Sequence, residues 1–107
     1  MSSEHTEKLK ASVEELQQRI DEYESKGDDH SKKALVDYAH QTFTPTTQTW
    51  LDQQHGNDSV SDEHLSSLKA HFHDISEHLK DEEGQFDLAM AKLNNNAVFN
   101  FLERLFS

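Results

Sequence analysis

The chain contains no cysteine and has very little proline or glycine. Its 107 residues include one proline and three glycines. Without cysteine, disulfide bonds, thiolate metal sites and cysteine nucleophiles are excluded. The glycines form neither a phosphate-binding loop nor a Gly-x-Ser-x-Gly nucleophile elbow. The sequence therefore predicts a protein that is not an enzyme and has no cofactor.

Apolar residues are also scarce. Leu, Ile, Val and Phe together account for 23 of the 107 residues, which allows only a thin core. No apolar run approaches the roughly 20 residues of a membrane span, and the start of the chain lacks the features of a signal peptide. We therefore expect one domain, residues 1–107, that acts in the cytoplasm without membrane contact.

The charge of the chain has one dominant sign. Acidic residues outnumber basic residues by 21 to 10, which gives a formal net charge of −11. The excess extends over both halves of the chain, with no acidic tail and no basic arm. Because affinity for nucleic acids depends on neutralising phosphates, this charge argues against direct nucleic-acid binding. Basic proteins and small ligands are left as candidate partners.

Apolar residues at helical spacing predict a first helix over about 3–25. They share one stripe along it: Leu9, Val13, Leu16, Ile20 and Tyr23. Lys26 and Gly27 supply a cation and a left-handed stop at its end. Asp28 and Asp29 are then candidates to cap the second helix.

The second helix is predicted over 29–54, and Pro45 complicates it. Proline removes a helical hydrogen bond, but after Thr44 it also fits the first turn of a new helix. We expect a kink or a break near residue 44, which leaves open one kinked helix or two short ones.

The third helix is predicted over 61–80. Ser61 is the clearest cap in the chain, because Val60 and Leu65 are spaced to form a hydrophobic staple around it. The expected core positions follow at spacings of three and four: Leu65, Leu68, Phe72, Ile75 and Leu79.

The fourth helix is predicted over 82–106, because the acidic residues 81–83 favour a helix N-terminus. Its expected core positions are Phe86, Ala89 or Met90, Leu93 and Ala97, and the asparagines 94–96 are expected to mark a bend. The alternative is one helix over 61–93, a rod of about 50 Å. A rod of that length implies an intertwined dimer, since it cannot bury its own apolar stripe.

Four helices with short connections and one apolar stripe each predict an all-α fold, a small up-down-up-down four-helix bundle. The repeated spacing of three and four favours helix crossing angles near 20°.

Three of the eight histidines repeat every seven residues: His64, His71 and His78. They either cover the edge of the core or form a metal-binding or pH-sensing stripe. Because His71 and His78 lie roughly 10 Å apart along a helix, they cannot hold one ion together. Asp74 is spaced to pair with either of them. We expect no metal site, and His71, Asp74 and His78 are weak candidates for one.

Aromatic residues provide the candidate partner-binding positions. Trp50, the single tryptophan, either fills one end of the core or anchors a partner. The last helix has more apolar residues than one buried face needs, because Phe99 and Phe106 lie off its main stripe. The partner-binding candidates are therefore Trp50, Phe99 and Phe106.

These observations predict a small interaction or regulatory module. It binds a protein partner, or a second copy as a homodimer, through the apolar surface of its C-terminal helix. One alternative is an acidic mimic of nucleic acid that inhibits a DNA-binding protein. The other is a histidine-based metal-binding or pH-responsive protein.

Overall fold

A computed structural model of the chain describes residues 4–54, 60–80 and 86–106. Its elements follow one another in the order α1 Glu4–Lys26, α2 Asp29–Tyr38, a π-turn Ala39–Phe43, α3 Thr44–Gln53, α4 Asp62–His78 and α5 Leu88–Phe106. No strand occurs in these ranges. Because α2, the π-turn and α3 form one continuous rod, the described helices make the predicted all-α four-helix bundle.

The C-terminal end of α1 and the start of α2 lie where the stop and cap residues of the sequence predict them. Gly27 stops α1 with a φ of 64°, the left-handed conformation that glycine adopts most easily. Asp28 then caps α2, because its carboxylate accepts the backbone N–H of Ser31 at 2.7 Å. The predicted stop and the predicted cap are both confirmed.

The Asp28 cap predicts a pH-dependent contribution to stability. The Ser31 N–H holds the pKa of this carboxyl below its ordinary value of 3.8. The cap therefore stabilises the fold fully above pH 3.8, and this contribution is lost as pH falls through the lower folded-state pKa. Asp28→Ala should lower the melting temperature near neutral pH, and its deficit relative to wild type should shrink at acid pH.

Thermal unfolding followed by circular dichroism checks this expectation. Asp28→Asn is the matched control, since an asparagine at this position still accepts the Ser31 N–H but does not titrate there. A deficit for Asp28→Ala that stays the same at every pH would contradict the assigned cause.

Pro45 does not break the second rod. The backbone stays right-handed helical from Tyr38 to Thr44, and the π-turn shifts the hydrogen-bond register just before the proline. The backbone N–H of Thr44 donates to the carbonyl of Ala39, and so does its hydroxyl at 2.8 Å. The same hydroxyl lies 2.6 Å from the Ser76 hydroxyl on α4. The alternative of two separate short helices is therefore wrong.

The third and fourth helices form a hairpin, and the single rod over 61–93 is wrong. α4 ends at His78, and α5 packs along it. Asp87 N–H donates to the His78 carbonyl at 2.9 Å. The Asp87 carboxylate accepts the N–H of Met90 at 3.1 Å, so Asp87 caps α5 and the helix begins at Leu88 rather than at 82. The acidic residues 81–83 lie outside the described residues.

The core is formed largely by the predicted stripes. α1 packs against α2, α3 and α5, and α4 packs against α3 and α5. Ser61 caps α4 as predicted, with its hydroxyl accepting the N–H of His64 at 3.2 Å. The fully buried apolar side chains from α1 to the C-cap of α4 include Leu9, Leu16, Ile20, Leu35, Phe43, Trp50, Leu68, Ile75 and Leu79. None of the described helices has the length and apolar character that a membrane crossing requires.

Candidate functional site

α5 turns a different face to the core than its apolar pattern predicts. Leu93, an expected core residue, is 63% exposed, whereas Asn94 and Asn95 are only 6% and 1% exposed. The α-helix continues without interruption through the asparagines, from Leu88 to Phe106. The predicted core position of Leu93 is therefore wrong, because the two asparagines occupy the inward positions beside it.

One hydrogen bond within α5 and one from α4 hold Asn94 in its inward position. Its Nδ2 donates to the Met90 carbonyl at 2.8 Å, one turn earlier in α5. Its Oδ1 accepts a hydrogen bond from His71 Nδ1 at 2.8 Å. The buried amide is therefore satisfied on both sides, as a buried polar group requires.

Hydrogen bonds to α1 hold Asn95 in the same way, but incompletely. Its Nδ2 donates to the Val13 carbonyl at 3.1 Å and to Gln17 Oε1 at 3.4 Å. Its Oδ1 is buried and has no hydrogen-bond partner among the described residues. One acceptor at the α1–α5 contact is therefore left unsatisfied, which is costly for a buried oxygen.

The inward asparagines leave apolar side chains on the surface. Three large apolar residues are well exposed in the described part of the chain: Met90 at 38%, Leu93 at 63% and Phe99 at 38%. All three lie on α5. Met90 and Leu93 are three residues apart and share one face of the helix, while Phe99 lies on the side toward α1.

A groove of about 360 Å³ lies between α5 and α1 beside Phe99. Its walls carry four side-chain amides, from Gln17, Gln18, Asn95 and Asn96, and one carboxylate, from Glu14. Phe99, predicted to lie off the main apolar stripe, is thus exposed and lines this groove. Phe106, the other aromatic candidate on this helix, has a side chain that lies outside the described part.

Trp50 is buried completely and offers no surface to a partner. Its Nε1 donates to the hydroxyl of Thr6 at 3.1 Å, which joins α3 to the start of α1. Its prediction as a partner-binding residue is corrected, because both its ring and its polar atom are used inside the bundle. The alternative, that it fills one end of the core, is confirmed.

Two histidines of the line on α4, His64 and His71, contact α5. His64 packs edge-on against Phe101, with ring centroids 5.1 Å apart. His71 binds Asn94, and His78 Nδ1 donates to the Asp74 carbonyl at 2.8 Å. Across the residues that the structure describes, no three histidine or acidic side chains come together to hold an ion. His71, Asp74 and His78 are therefore not gathered into a metal site.

Bases are interleaved with the acidic residues of the surface. On α1, Glu4, Glu15 and Glu22 each pair with a base four residues later. Between helices, Lys92 lies 2.8 Å from Glu24, and this hydrogen bond raises the pKa of the lysine. The pKa of Glu77 is lowered by the hydrogen bond from Lys80. The described acidic surface is thus interrupted by bases at these ion pairs.

Comparison with protein-family models, with curated proteins and with solved structures found no match to this chain.

The sequence predicted Phe99 as a surface residue of α5 but did not predict the exposure of Leu93 or the burial of Asn94 and Asn95. The signal for these residues was the asparagine triplet itself, which is as compatible with buried hydrogen-bonded amides as with a bend.

Proposed function

We propose that this chain is a non-catalytic interaction module that binds a protein partner through the exposed apolar side chains of α5. Met90 and Leu93 share one side of the helix, which we call the α5 face, and Phe99 is exposed on the other flank of α5, toward α1. The cytoplasm is the proposed site of action, consistent with a chain that contains no cysteine.

One observation carries the proposal: α5 exposes Leu93 and buries Asn94 and Asn95. Full burial of a leucine side chain stabilises a fold by about 1.5–3 kcal/mol, whereas a buried amide gains little even when it is hydrogen-bonded. This arrangement forgoes stability within the chain. Departures from core patterning are expected at functional sites, where a partner completes the burial.

Charge favours a different protein over a second copy. Two copies that each carry a formal charge of −11 repel one another, whereas a basic partner is attracted. The nucleic-acid mimic is less well supported, because ion pairs with Lys8, Arg19 and Lys26 interrupt the acidic surface of α1. The metal-binding alternative has no gathered ligand set among the described residues to support it.

Leu93→Ser tests the proposal. Because Leu93 is 63% exposed, this change should alter the free energy of unfolding by less than about 0.5 kcal/mol while removing the more exposed of the two side chains of the α5 face. Tagged wild type and variant serve as baits after chemical crosslinking in cells, and captured proteins are quantified by mass spectrometry. A partner bound through α5 should be strongly depleted with Leu93→Ser.

The control is Ala11→Ser, an exposed position on α1 that receives the same polar side chain. A partner that Leu93→Ser loses and Ala11→Ser keeps supports the proposal. If both variants retain every protein that the wild type captures, the α5 face is not the binding surface. Sedimentation of the purified chain tests for a homodimer. If the chain sediments as a dimer, the partner is a second copy rather than a different protein.

A further inference from the structure

The groove between α1 and α5 has a composition that suits one kind of ligand. Its lining combines the aromatic ring of Phe99, the amides of Gln17, Gln18 and Asn95, and the carboxylate of Glu14. None of the described residues that line it is basic, so the formal charge that they supply is negative. Its volume of about 360 Å³ is in the range of small ligand sites, which is about 300–1,000 Å³.

The carboxylate of Glu14 is available to a ligand. Four other glutamates of α1 are in ion pairs with bases: Glu4, Glu15, Glu22 and Glu24. Within the described residues, Glu14 forms no ion pair, and its side chain is exposed at the edge of the groove. A cation that enters the groove therefore meets an acidic group without displacing a base.

Asn95, which lines the groove, also has an acceptor that no described residue uses. Asn95 is 1% exposed, and its Oδ1 has no hydrogen-bond partner in the part of the chain that the structure describes. A buried oxygen of this kind needs a donor. Gln17 and Phe99 also line the groove, and rotation of the exposed Phe99 side chain within nanoseconds would open a path for a ligand N–H to this oxygen.

We propose that this groove binds an extended peptide segment that carries an arginine. The guanidinium lies between the Glu14 carboxylate and the Phe99 ring, and N–H groups of the segment donate to Asn95 Oδ1. Arginine is preferred to lysine because its planar fork matches a carboxylate and stacks on an aromatic face. This inference rests on the proposed function and names the chemistry of the partner in the groove beside Phe99, on the flank of α5 that faces α1.

The test is an NMR titration of the ¹⁵N-labelled full chain with the blocked tripeptide acetyl-Gly-Arg-Gly-amide. The neutral tripeptide acetyl-Gly-Gln-Gly-amide serves as the ligand control. Binding in the groove shifts the side-chain amide signals of Asn95 and Gln18 in a saturable way. The neutral tripeptide should produce smaller shifts at the same concentration.

Two variants locate the cation. Glu14→Gln should weaken arginine-peptide binding about two- to fivefold, the range expected for one exposed ion pair. Glu7→Gln is the matched control, because Glu7 is also an exposed glutamate of α1 outside the described ion pairs but does not line the groove. It should leave binding unchanged. Phe99→Leu, which keeps an apolar side chain without the aromatic face, should also weaken binding.

Equal effects of Glu14→Gln and Glu7→Gln would overturn the proposal, since they indicate general attraction to an acidic surface. The absence of any shift at Asn95 up to millimolar peptide would overturn it as well. Neither result affects the proposed function, which fails only when captured partners are insensitive to Leu93→Ser.

Discussion

Trp50→Ala is expected to lower the free energy of unfolding by about 3–5 kcal/mol, the range for removing a large buried aromatic side chain. Trp50 is 0% exposed, and its ring is part of the same core cluster as residues of α1, α4 and α5. The change leaves a cavity at the end of the bundle and also removes the hydrogen bond to Thr6. Domains of this size are stable by only about 5–15 kcal/mol, so the variant should be close to unfolding.

Urea denaturation followed by circular dichroism measures this loss, since the variant no longer has tryptophan fluorescence. Trp50→Phe is the companion variant, because phenylalanine keeps an aromatic ring in the core but cannot donate to Thr6. Its loss should be clearly smaller than that of Trp50→Ala. A loss of less than about 1 kcal/mol for Trp50→Ala would mean that Trp50 is not packed as the fold requires.

Asn95→Asp is expected to be the second strongly destabilising change, by about 3 kcal/mol or more at neutral pH. The new side chain is nearly isosteric, but it cannot donate to the Val13 carbonyl when ionised. A charge would then lie in a site that is 1% exposed, beside the carbonyl oxygen of Val13 and the Oε1 of Gln17. Burial without a compensating cation raises the pKa of the introduced carboxyl.

The sign of the pH dependence follows from that raised pKa. The neutral carboxyl is favoured in the folded state, so the deficit of Asn95→Asp should be largest at neutral pH and decrease as pH falls toward about 5. Chemical denaturation at several pH values measures the deficit. Asn96→Asp, at an exposed position one residue later, is the control and should have little effect. Equal stability of the Asn95→Asp variant and wild type would contradict the buried position of Asn95.

The helices of this protein were largely predictable because their signals are local. The stripe of α1, the stop at Gly27 and the caps at Asp28 and Ser61 each depend on residues within one or two helical turns. The start of α5 was predicted too early, because the acidic residues 81–83 carry the same kind of signal as Asp87. Both can favour a helix N-terminus, and only the hydrogen bond from Met90 N–H decides between them.

The region around Pro45 shows a different limit. Composition correctly indicated an irregularity there, but local rules did not distinguish a break from a wider turn. The Thr44 hydroxyl contacts both the Ala39 carbonyl and Ser76 on α4, 32 residues away in sequence. A continuous rod with a π-turn is therefore supported in part by a contact that no sequence window contains.

The α5 face was the least predictable part of the candidate site. Periodicity placed Leu93 inside, yet Asn94 and Asn95 occupy the inward positions because their partners His71 and Val13 lie 23 and 82 residues away. The sequence by itself determined the all-α class, most helix ends and the acidic, cysteine-free character of the chain. Only the tertiary structure decided which face of α5 is buried, because helix periodicity is local whereas a buried amide depends on distant hydrogen-bond partners.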